Sequence, residues 1–482
     1  LKRVEIVGGK RRFDSKQHAW FRAIAGYSFF VHVFQMSRPT TVNQTGTTQK
    51  FYEALLQTET ASAGYLVKFQ DNILKDLLPF VAKQVPYYRD RLTPAFRADG
   101  SFNPGNWTKL PVLPAAEFKK NHAAFQPNEL PAPHGRSVRY ISSGSTGRPT
   151  AFYRSALSEI AQNGAHYRHY RAFDLDLTRD LAMIRVFDWT LARSRPTPAD
   201  RSKIPWAAKW FAGGNAGVVH TLSVFTPIAR QVEWLCGLGK VYLNTFPSNA
   251  LAIARHVARN PGAKPEIAAI LAAGEPLTGE IRQQCAEHLG CSCIDIYSSA
   301  ECGAIASDCP SGGVMHVQSE LCRVEILEQK SNKPARPGEW GRLIVTPLYN
   351  FAMPLIRYDT GDLVRAALPC SCGRSHLAIE RSIGRPSNMF YLPGQEWFRP
   401  QLATMMEDLL HYRRWQLLQT GAEAFELRYM PAGGEIAIDT RAIRAALKKT
   451  LGARVSIQIN AVAALGPGSS GKFPLILNRV QG

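Results

Sequence analysis

Apolar residues first form a regular pattern shortly after residue 51. Four of them follow one another at steps of three and four residues, the spacing of one helix face: Leu66, Phe69, Ile73 and Leu77. Pro79 and Pro86 come next, and we expect them to break the helix because proline has no backbone N–H to donate. Residues 1–50 show no clear pattern, so the sequence predicts an amino-terminal extension of unknown role.

Short apolar runs alternate with helical stretches from about residue 110 to residue 385. Residues 181–187 (LAMIRVF) and 267–273 (IAAILAA) are typical of buried strands. Thr278 follows the second run and offers its hydroxyl as the N-cap of a helix that extends to about Leu289. This alternation predicts an α/β fold, in which ligands bind at the carboxyl ends of the strands.

The pattern changes near Gly384, where a shorter series of elements begins. The residues after it predict a helix at 402–409, strands at 415–419 and 425–430, a helix at 443–447 and a strand at 455–459. We therefore expect an α/β protein with two folded parts. These are a large domain of mixed sheets and helices over 51–384 and a small, mobile α+β domain over 385–482.

Composition and net charge indicate which class of molecule the protein binds. Apolar residues make up 45% and charged residues 20% of the 482, an ordinary globular balance, and no apolar run is long enough to predict a transmembrane span. The net charge of +20 favours an anionic partner: nucleic acid, nucleotide, coenzyme A, an acidic protein or anionic lipid. Because the basic residues are spread along the chain, we do not expect nucleic acid. Nine cysteines without a visible export signal predict a reducing compartment, the cytoplasm. Monomer and homodimer both stay open.

A loop rich in glycine and hydroxyl groups follows an extended stretch. It contains Ser142, Ser143, Gly144, Ser145, Thr146 and Gly147. Backbone N–H groups and hydroxyls in such a loop can hold phosphate oxygens, because glycine lets the backbone approach closely. It is not a Walker loop, since no Gly-Lys-Ser/Thr follows. A flexible linker has the same composition, so both readings stay open.

Two carboxylates follow short strands further along the chain. Glu301 ends the run Ile294-Asp-Ile-Tyr-Ser-Ser-Ala-Glu301 and could hold Mg²⁺ beside a nucleotide. Asp362 follows a tight turn and would suit the two hydroxyls of a ribose. A surface glutamate and a capping aspartate are the alternatives that involve no ligand.

Together these segments resemble the adenylate-forming (acyl/aryl-CoA ligase) superfamily. Six segments occur in its order: residues 142–150, 274–276, 297–301, 357–362, 384–385 and 471–472. Within that superfamily the chain is similar to the phenylacetate-CoA ligase branch, whose amino-terminal region resembles residues 85–91 and 109–114. The resemblance covers about residues 51–482.

The resemblance implies two half-reactions. A carboxylate attacks the α-phosphate of ATP and releases pyrophosphate, and a thiol then displaces AMP. It also implies a role for each matched position. The 142–147 loop would hold the β- and γ-phosphates, and Glu301 would bind Mg²⁺. Lys472 would bridge the carboxylate and the α-phosphate. The remaining matched positions would contact the nucleotide, Asp362 through the ribose and the 274–276 segment through the adenine: Gly274, Glu275, Pro276, Tyr297, Ser298, Asp362 and Arg385.

The hinge departs from the family pattern. Ser387 stands where the family usually has a charged residue, and Pro386 stiffens the same turn. The domain rotation that would open a thiol channel is therefore less well supported than adenylation. Two alternatives follow: AMP transfer to a non-carboxylate acceptor such as a cofactor hydroxyl, and non-catalytic binding of a nucleotide or nucleic acid.

Two pairs of soft ligands predict a structural zinc site. Cys309 and His316 form the first pair, and Cys370 and Cys372 form the second. Members of the resembled branch carry a cysteine-rich site at this place, which supports the pairing. Other candidate ligands are Cys291, Cys293, Cys302 and His376, and buried free thiols are the alternative without a metal.

The acid pocket is the least specified part. Phe187, Trp189, Phe246 and Ser298 lie at or near predicted strand ends, where aromatic side chains would suit a flat aryl acid or would simply pack in the core. The resembled branch implies a phenylacetate- or hydroxybenzoate-like acid. The thiol acceptor would be the pantetheine group of coenzyme A or of an acidic acyl carrier protein.

Overall fold

The computed structural model describes ten stretches of the chain: residues 44–141, 150–186, 204–380, 384–393, 402, 405–406, 409–410, 412–431, 438–465 and 472–480.

The helices lie mostly in the first 300 residues. In chain order they are α1 (Gln44–Gln57), α2 (Ala63–Gln84), α3 (Ala115–Asn121), α4 (Ala156–Ala172), α5 (Lys209–Ala212), α6 (Ile228–Cys236), α7 (Pro247–Arg259), α8 (Gly279–Leu289) and α9 (Thr440–Leu451).

Among the described residues, the strands lie between Leu113 and Asn478. The first nine are β1 (Leu113–Pro114), β2 (Ser137–Ile141), β3 (Ala151–Ser155), β4 (Leu181–Arg185), β5 (Val219–Ser223), β6 (Val241–Thr245), β7 (Ile267–Ala272), β8 (Ser292–Ser299) and β9 (Gly303–Asp308). The second nine are β10 (Val314–Val317), β11 (Cys322–Glu328), β12 (Trp340–Pro347), β13 (Tyr358–Arg365), β14 (Ala378–Glu380), β15 (Tyr412–Gly421), β16 (Ala424–Pro431), β17 (Ser456–Ala461) and β18 (Ile476–Asn478).

The largest sheet has eight strands in the order β14-β10-β9-β8-β7-β6-β4-β5. The strands from β5 to β8 pair in parallel, whereas β9, β10 and β14 pair antiparallel. Helices connect the parallel strands, as crossover connections require. The predicted α/β class is confirmed, and the parallel strands bring their carboxyl ends to one edge of the sheet.

Two four-stranded sheets and a hairpin complete the described topology. One sheet has the order β1-β13-β12-β11, and the other has the order β17-β16-β15-β18 and carries α9. The second sheet matches the strand-strand-helix-strand order expected after Gly384 and adds β18 at its edge. The β2–β3 hairpin brackets the serine- and glycine-rich loop, which itself lies outside the described residues.

Two sequence expectations about the first helices differ from the structure. Helix α1 begins at Gln44, inside the predicted extension, and packs its Leu55 side chain against α4. Helix α2 continues through Pro79 to Gln84, so the predicted break at that proline is wrong. Apolar packing on both sides of Pro79 explains this, because burial outweighs the ~3 kcal/mol cost of an interior proline.

The core forms several apolar clusters. One lies between the parallel strands and helices α6–α8 and continues into the carboxy-terminal sheet. A second packs α2 against the β11–β13 sheet and the antiparallel strands of the large sheet. Within the described ranges, no helix combines the length and apolar character that a membrane crossing requires.

Candidate active site

Polar side chains meet where the parallel strands end. Arg185 is the last residue of β4, Phe246 directly follows β6, and Gly274 and Glu275 follow β7. Tyr297 and Ser298 are half-buried near the end of β8. The fold therefore brings these sequence-predicted residues to one edge of the sheet, together with Arg185, which the sequence analysis did not single out.

The Glu275 carboxylate joins the large sheet to the carboxy-terminal segment. Its Oε2 accepts a hydrogen bond of 2.9 Å from the backbone N–H of Ser248, in the first turn of α7. Its Oε1 accepts a bond of 2.9 Å from the backbone N–H of Phe473. Glu275 thus holds the residue next to Lys472 against the strand ends.

Lys472 is half-buried between charged groups of both parts of the chain. Burial lowers its pKa below the ordinary value, Glu275 and Asp362 oppose that shift, and Arg385 and Arg185 add to it. The ammonium group is therefore poorly solvated, and an anionic ligand would stabilise its charged form.

Asp362, Tyr297 and Arg385 form one hydrogen-bonded group. The Nε atom of Arg385 donates to Oδ1 of Asp362 over 2.7 Å, and the Tyr297 hydroxyl donates to Oδ2. The Asp362 carboxylate raises the pKa of Arg385, while burial raises the pKa of Tyr297 well above its ordinary value. Each carboxylate oxygen keeps a second lone pair, so the group could still accept hydrogen bonds from a diol.

Glu301 occupies the tight turn between β8 and β9. It is half-buried, and its charge contributes to raising the pKa of the nearby Arg385 guanidinium. Gly303 closes the turn with φ +78°, and a Cβ atom there would lie 2.3 Å from Gln162 Nε2. The turn is therefore fixed by close packing, and a carboxylate held on it would suit a hard divalent cation.

Phe246 and Arg185 contact each other where β6 and β4 end. The ring of Phe246 is buried, and the Arg185 guanidinium carbon lies 4.4 Å from its centroid. Arg185 Nε also donates to Asn244 Oδ1 over 2.9 Å, and its Nη1 donates to the Ala273 carbonyl over 2.9 Å. A charged residue inside the apolar run 181–187 and an asparagine inside β6 were the sequence signals that could have identified this pair.

Eight predicted site residues lie outside the described residues. They are Ser142, Ser143, Gly144, Ser145, Thr146 and Gly147 of the phosphate-loop prediction, and Phe187 and Trp189 of the acid-pocket prediction.

The predicted zinc ligands come together in space. The ligand atoms of Cys309, His316, Cys370 and Cys372 all lie within 4.8 Å of one another. The sulfurs of Cys309 and Cys370 are 3.7 Å apart, and Cys372 Sγ is 3.2 Å from His316 Nε2. A tetrahedral zinc ion with ~2.3 Å bonds to sulfur separates two sulfurs by ~3.8 Å, so these donors fit zinc.

The histidine of this cluster is oriented by a second contact. His316 Nδ1 is 3.4 Å from the backbone carbonyl of His376, which leaves Nε2 directed towards the sulfurs. Burial lowers the pKa of His316 to about 4, so the ring is neutral near pH 7, the form that binds a metal. The alternative thiols Cys291, Cys293 and Cys302 lie instead in apolar clusters.

A buried ion-pair network supports the same region. Glu320 accepts bonds from Arg168 Nη1 (2.7 Å), Thr58 Oγ1 (2.6 Å) and His376 Nε2 (3.0 Å). Burial alone would raise the pKa of Glu320, but Arg168 and His376 outweigh it and hold that pKa well below its ordinary value. His376, an alternative zinc ligand in the sequence, is thus engaged by Glu320.

Comparison with known proteins shows which enzymes the chain is similar to. The chain is 26% identical over 383 residues to the phenylacetate-coenzyme A ligase of Thermus thermophilus, an alignment covering 74% of this chain and 79% of that protein. It is 24% identical over 360 residues to the enzyme of the same name from Escherichia coli K12, covering 71% and 76%. The chain is a relative of the phenylacetate-coenzyme A ligases. The predicted resemblance is therefore confirmed. No family model matches the chain.

Solved structures of a CoA ligase share the fold. A crystal structure of 2-hydroxyisobutyryl-CoA ligase in the postadenylation state superposes with a TM-score of 0.65 at 19% identity, covering 88% of this chain and 92% of that one. An open conformation of the same ligase gives a TM-score of 0.55 at 18% identity, covering 93% and 97%. At these identities the likeness speaks for the fold alone.

Proposed function

We propose that the protein adenylates an aromatic carboxylic acid with ATP and then transfers the acyl group to a pantetheine thiol. The observation that carries the proposal is the position of Lys472, which Glu275 holds at the strand ends between the Asp362–Arg385 pair and Arg185. The phenylacetate-coenzyme A ligase relatives support the reaction class, and they favour coenzyme A as acceptor. A phenylacetate-like or hydroxybenzoate-like acid is the proposed substrate, and an acidic carrier protein is the second proposed acceptor.

The adenylation step needs positive charge close to the reacting oxygens. An oxygen of the acid's carboxylate attacks the α-phosphorus, and the bond from that phosphorus to the bridging oxygen breaks as pyrophosphate leaves. Both reactants are anions, so the step is slow in water and fast where fixed positive charge awaits the transition state. Lys472 would neutralise charge at the reacting oxygens, and Arg385 would do so on the nucleotide side.

The other matched residues would position the nucleotide. Asp362 would accept hydrogen bonds from the ribose hydroxyls, with its carboxylate already oriented by Tyr297 and Arg385. Gly274, Glu275 and Pro276 would border the adenine. Glu301 would hold the Mg²⁺ that, when bound, neutralises phosphate charge, and the 142–147 loop would hold the β- and γ-phosphates.

The thiol step requires Lys472 to leave the site. The thiolate sulfur would attack the acyl carbon, and AMP would depart with the bonding electron pair. Lys472 and Phe473 precede β18, which pairs with β15, so the segment would move together with the carboxy-terminal sheet. We propose that rotation about Gly384 and Arg385 performs this exchange.

A second function would stop at the AMP ester. Pro386–Asn388 forms a short 3₁₀ turn, and the backbone N–H of Arg385 donates to Asn388 Oδ1 over 2.8 Å. A hinge held in this way favours retention of the adenylating conformation. Transfer of AMP to a cofactor hydroxyl would then leave AMP on the product and consume no thiol.

We also propose that Cys309, His316, Cys370 and Cys372 hold a structural zinc ion. Four protein ligands would close its coordination sphere, so it would brace the Cys370–Cys372 turn and take no part in acyl transfer. All nine cysteines are free thiols, which supports the cytoplasm as the proposed compartment.

Acid-dependent exchange between ATP and pyrophosphate tests the main proposal. The panel would contain benzoates, phenylacetates, cinnamates and fatty acids, and exchange with one aryl acid would support the function. Exchange with no acid would contradict it and favour AMP transfer to another acceptor. Coenzyme A or a carrier protein added to the active pair would then identify the thiol.

Lys472→Ala tests the observation that carries the proposal. We expect this variant to lose exchange while it still binds ATP in calorimetry. Lys449, exposed in the last turn of α9, supplies the matched control Lys449→Ala, which should retain wild-type exchange. Equal exchange by Lys472→Ala and the wild type would refute the role.

A further inference from the structure

Arg185 is a half-buried cation whose Nη2 atom has no hydrogen-bond partner among the described residues. Its inner edge is fixed by the bonds to Asn244 and to the Ala273 carbonyl, and the ring of Phe246 covers one face. The Nη2 atom is buried, and no acceptor among the described residues lies within hydrogen-bonding distance of it. Burial lowers the pKa of Arg185 to about 10, which still leaves the side chain charged at neutral pH.

Two buried arginines in the described parts of the chain have carboxylate partners. Arg168 pairs with Glu320 at 2.7 Å, and Arg357 pairs with Glu325 at 2.8 Å. No described carboxylate lies within ion-pair distance of Arg185, although Glu275 and Asp295 act on it from further away. Buried charges in proteins are normally paired, so the missing acceptor is expected from a ligand.

The position of Arg185 indicates which ligand supplies that acceptor. The Asp362–Arg385 pair lies at the proposed nucleotide end, and Glu275 holds the Lys472–Phe473 segment next to it. Arg185 is bonded to the Ala273 carbonyl and stacked on Phe246, the proposed wall of the acid pocket. The body of the acid, and not its reacting carboxylate or the phosphates, would therefore face Nη2.

We propose that Arg185 is a specificity-determining residue that binds an oxygen substituent on the acid, a hydroxyl or a second carboxylate. The inference rests on the proposed adenylating function. An acid with an unsubstituted ring would cover Nη2 and leave its N–H groups without an acceptor. A site built to donate a hydrogen bond rejects the analogue that lacks the acceptor, so the substrate class is an oxygen-substituted aryl acid.

Matched acid pairs test this assignment. We would measure ATP–pyrophosphate exchange with phenylacetate and its hydroxylated and carboxylated derivatives, and with benzoate and its corresponding derivatives. A hydrogen bond to a charged donor is worth about 10- to 100-fold in binding, so at least one oxygen-substituted acid should exceed its parent by that factor in kcat/KM. A wild-type protein that prefers the parent in every pair would overturn the inference.

The variants distinguish recognition from structural support. Arg185→Met should reduce the ratio of substituted to parent acid towards one, Arg185→Lys should retain part of the ratio, and neither should change the KM for ATP. The exposed Arg230, paired with Glu233 on α6, supplies the control Arg230→Met, whose ratio should equal that of the wild type. An equal loss for all acids in Arg185→Met, with a raised KM for ATP, would contradict the inference.

Circular dichroism and calorimetry separate failure of the Arg185 contact from misfolding and from failure of the proposed function. Circular dichroism would show whether Arg185→Met folds, and if it does not, Arg185→Lys and the wild-type preference decide the question. If the wild type exchanges with no acid, the proposed function fails. Calorimetric titration of the same acid pairs into the wild type and Arg185→Lys would then test the Arg185 contact alone, and equal affinity of the two proteins for every acid would overturn it.

Discussion

Glu275 holds the carboxy-terminal segment against the large sheet, in the position that we propose for adenylation. Its Oε1 receives the Phe473 N–H at 2.9 Å, and its Oε2 receives the Ser248 N–H at 2.9 Å. Of these two bonds, the one to Phe473 joins the two parts of the chain, and it must break when Lys472 leaves the site. We therefore expect substitution of Glu275 to weaken adenylation specifically.

The expected loss of adenylation follows from the strength of the hydrogen bond between Glu275 and the Phe473 N–H. A hydrogen bond to a charged group contributes about 1.5–3 kcal/mol, and one to a neutral group contributes about 0.5–1.5 kcal/mol. Glu275→Gln keeps an oxygen acceptor, so the free energy that holds Lys472 in the site should fall by about 1 kcal/mol. The population with Lys472 in place should then decrease a few-fold. Glu275→Ala removes the acceptor and should lower the exchange rate about 10- to 100-fold.

The assay compares the two half-reactions in the same variants. Exchange reports adenylation, and thioester formation from a preformed acyl-adenylate reports the second step. In Glu275→Ala the first should fall and the second should be unchanged or faster. The exposed Glu287 of α8 supplies the control Glu287→Gln. Equal slowing of both steps, or a rise in the KM for ATP that accounts for the whole loss, would refute the reasoning.

The remaining predictions concern stability and metal binding. Cys370→Ser should lose zinc in metal analysis and lower the melting temperature, and an unchanged metal content would contradict the proposed site. Arg168→Met should cost about 3–5 kcal/mol in denaturant unfolding because it removes the guanidinium partner of a buried carboxylate, whereas Arg230→Met, which breaks an exposed pair, should leave the unfolding free energy nearly unchanged. Glu320 has a lowered pKa in the folded state, so its stabilisation is present above the unfolded value of 4.5 and should be lost as pH falls below it; Glu320→Gln should flatten that dependence. Gly303→Ala should destabilise the β8–β9 turn by more than about 1 kcal/mol, measured in the same unfolding assay.

The sequence predicted most of the architecture because the signals were local. Strand periodicity located β4 and β7, and the Thr278 hydroxyl accepts the Ile281 N–H at the start of α8 as its N-cap position predicts. The α2 prediction failed at Pro79 because packing against apolar residues distant in sequence stabilises that helix. A rule based on neighbouring residues alone does not include this packing.

The candidate site was only partly predictable for a related reason. The motifs containing Asp362 and Lys472 were visible as short segments, but their neighbours come from strands far away in sequence. Arg185 and Asn244 are single polar residues in apolar runs, and nothing in the chain shows that they face each other until β4 and β6 pair. The four proposed zinc ligands were an exception, since soft donors in two close pairs predict their own convergence, and the four side chains do meet.

The arrangement of charges explains how one site could serve two successive reactions. Arg185, on β4 of the large sheet, and Asp362, on β13 of the first four-stranded sheet, would hold the acid and the nucleotide throughout. Lys472 belongs instead to a segment tied to the large sheet through the Glu275–Phe473 bond and, in the carboxy-terminal sheet, by Arg414 over the Phe473 ring at 5.3 Å. Removing that segment would withdraw one positive charge from the reacting carboxylate and leave both bound groups in place. Because the acyl carbon needs no added cation once it is joined to phosphate, the loss of Lys472 costs the second step little and gives a thiol room to enter. In this proposal, the balance between the two half-reactions is therefore governed by the few contacts that hold Lys472.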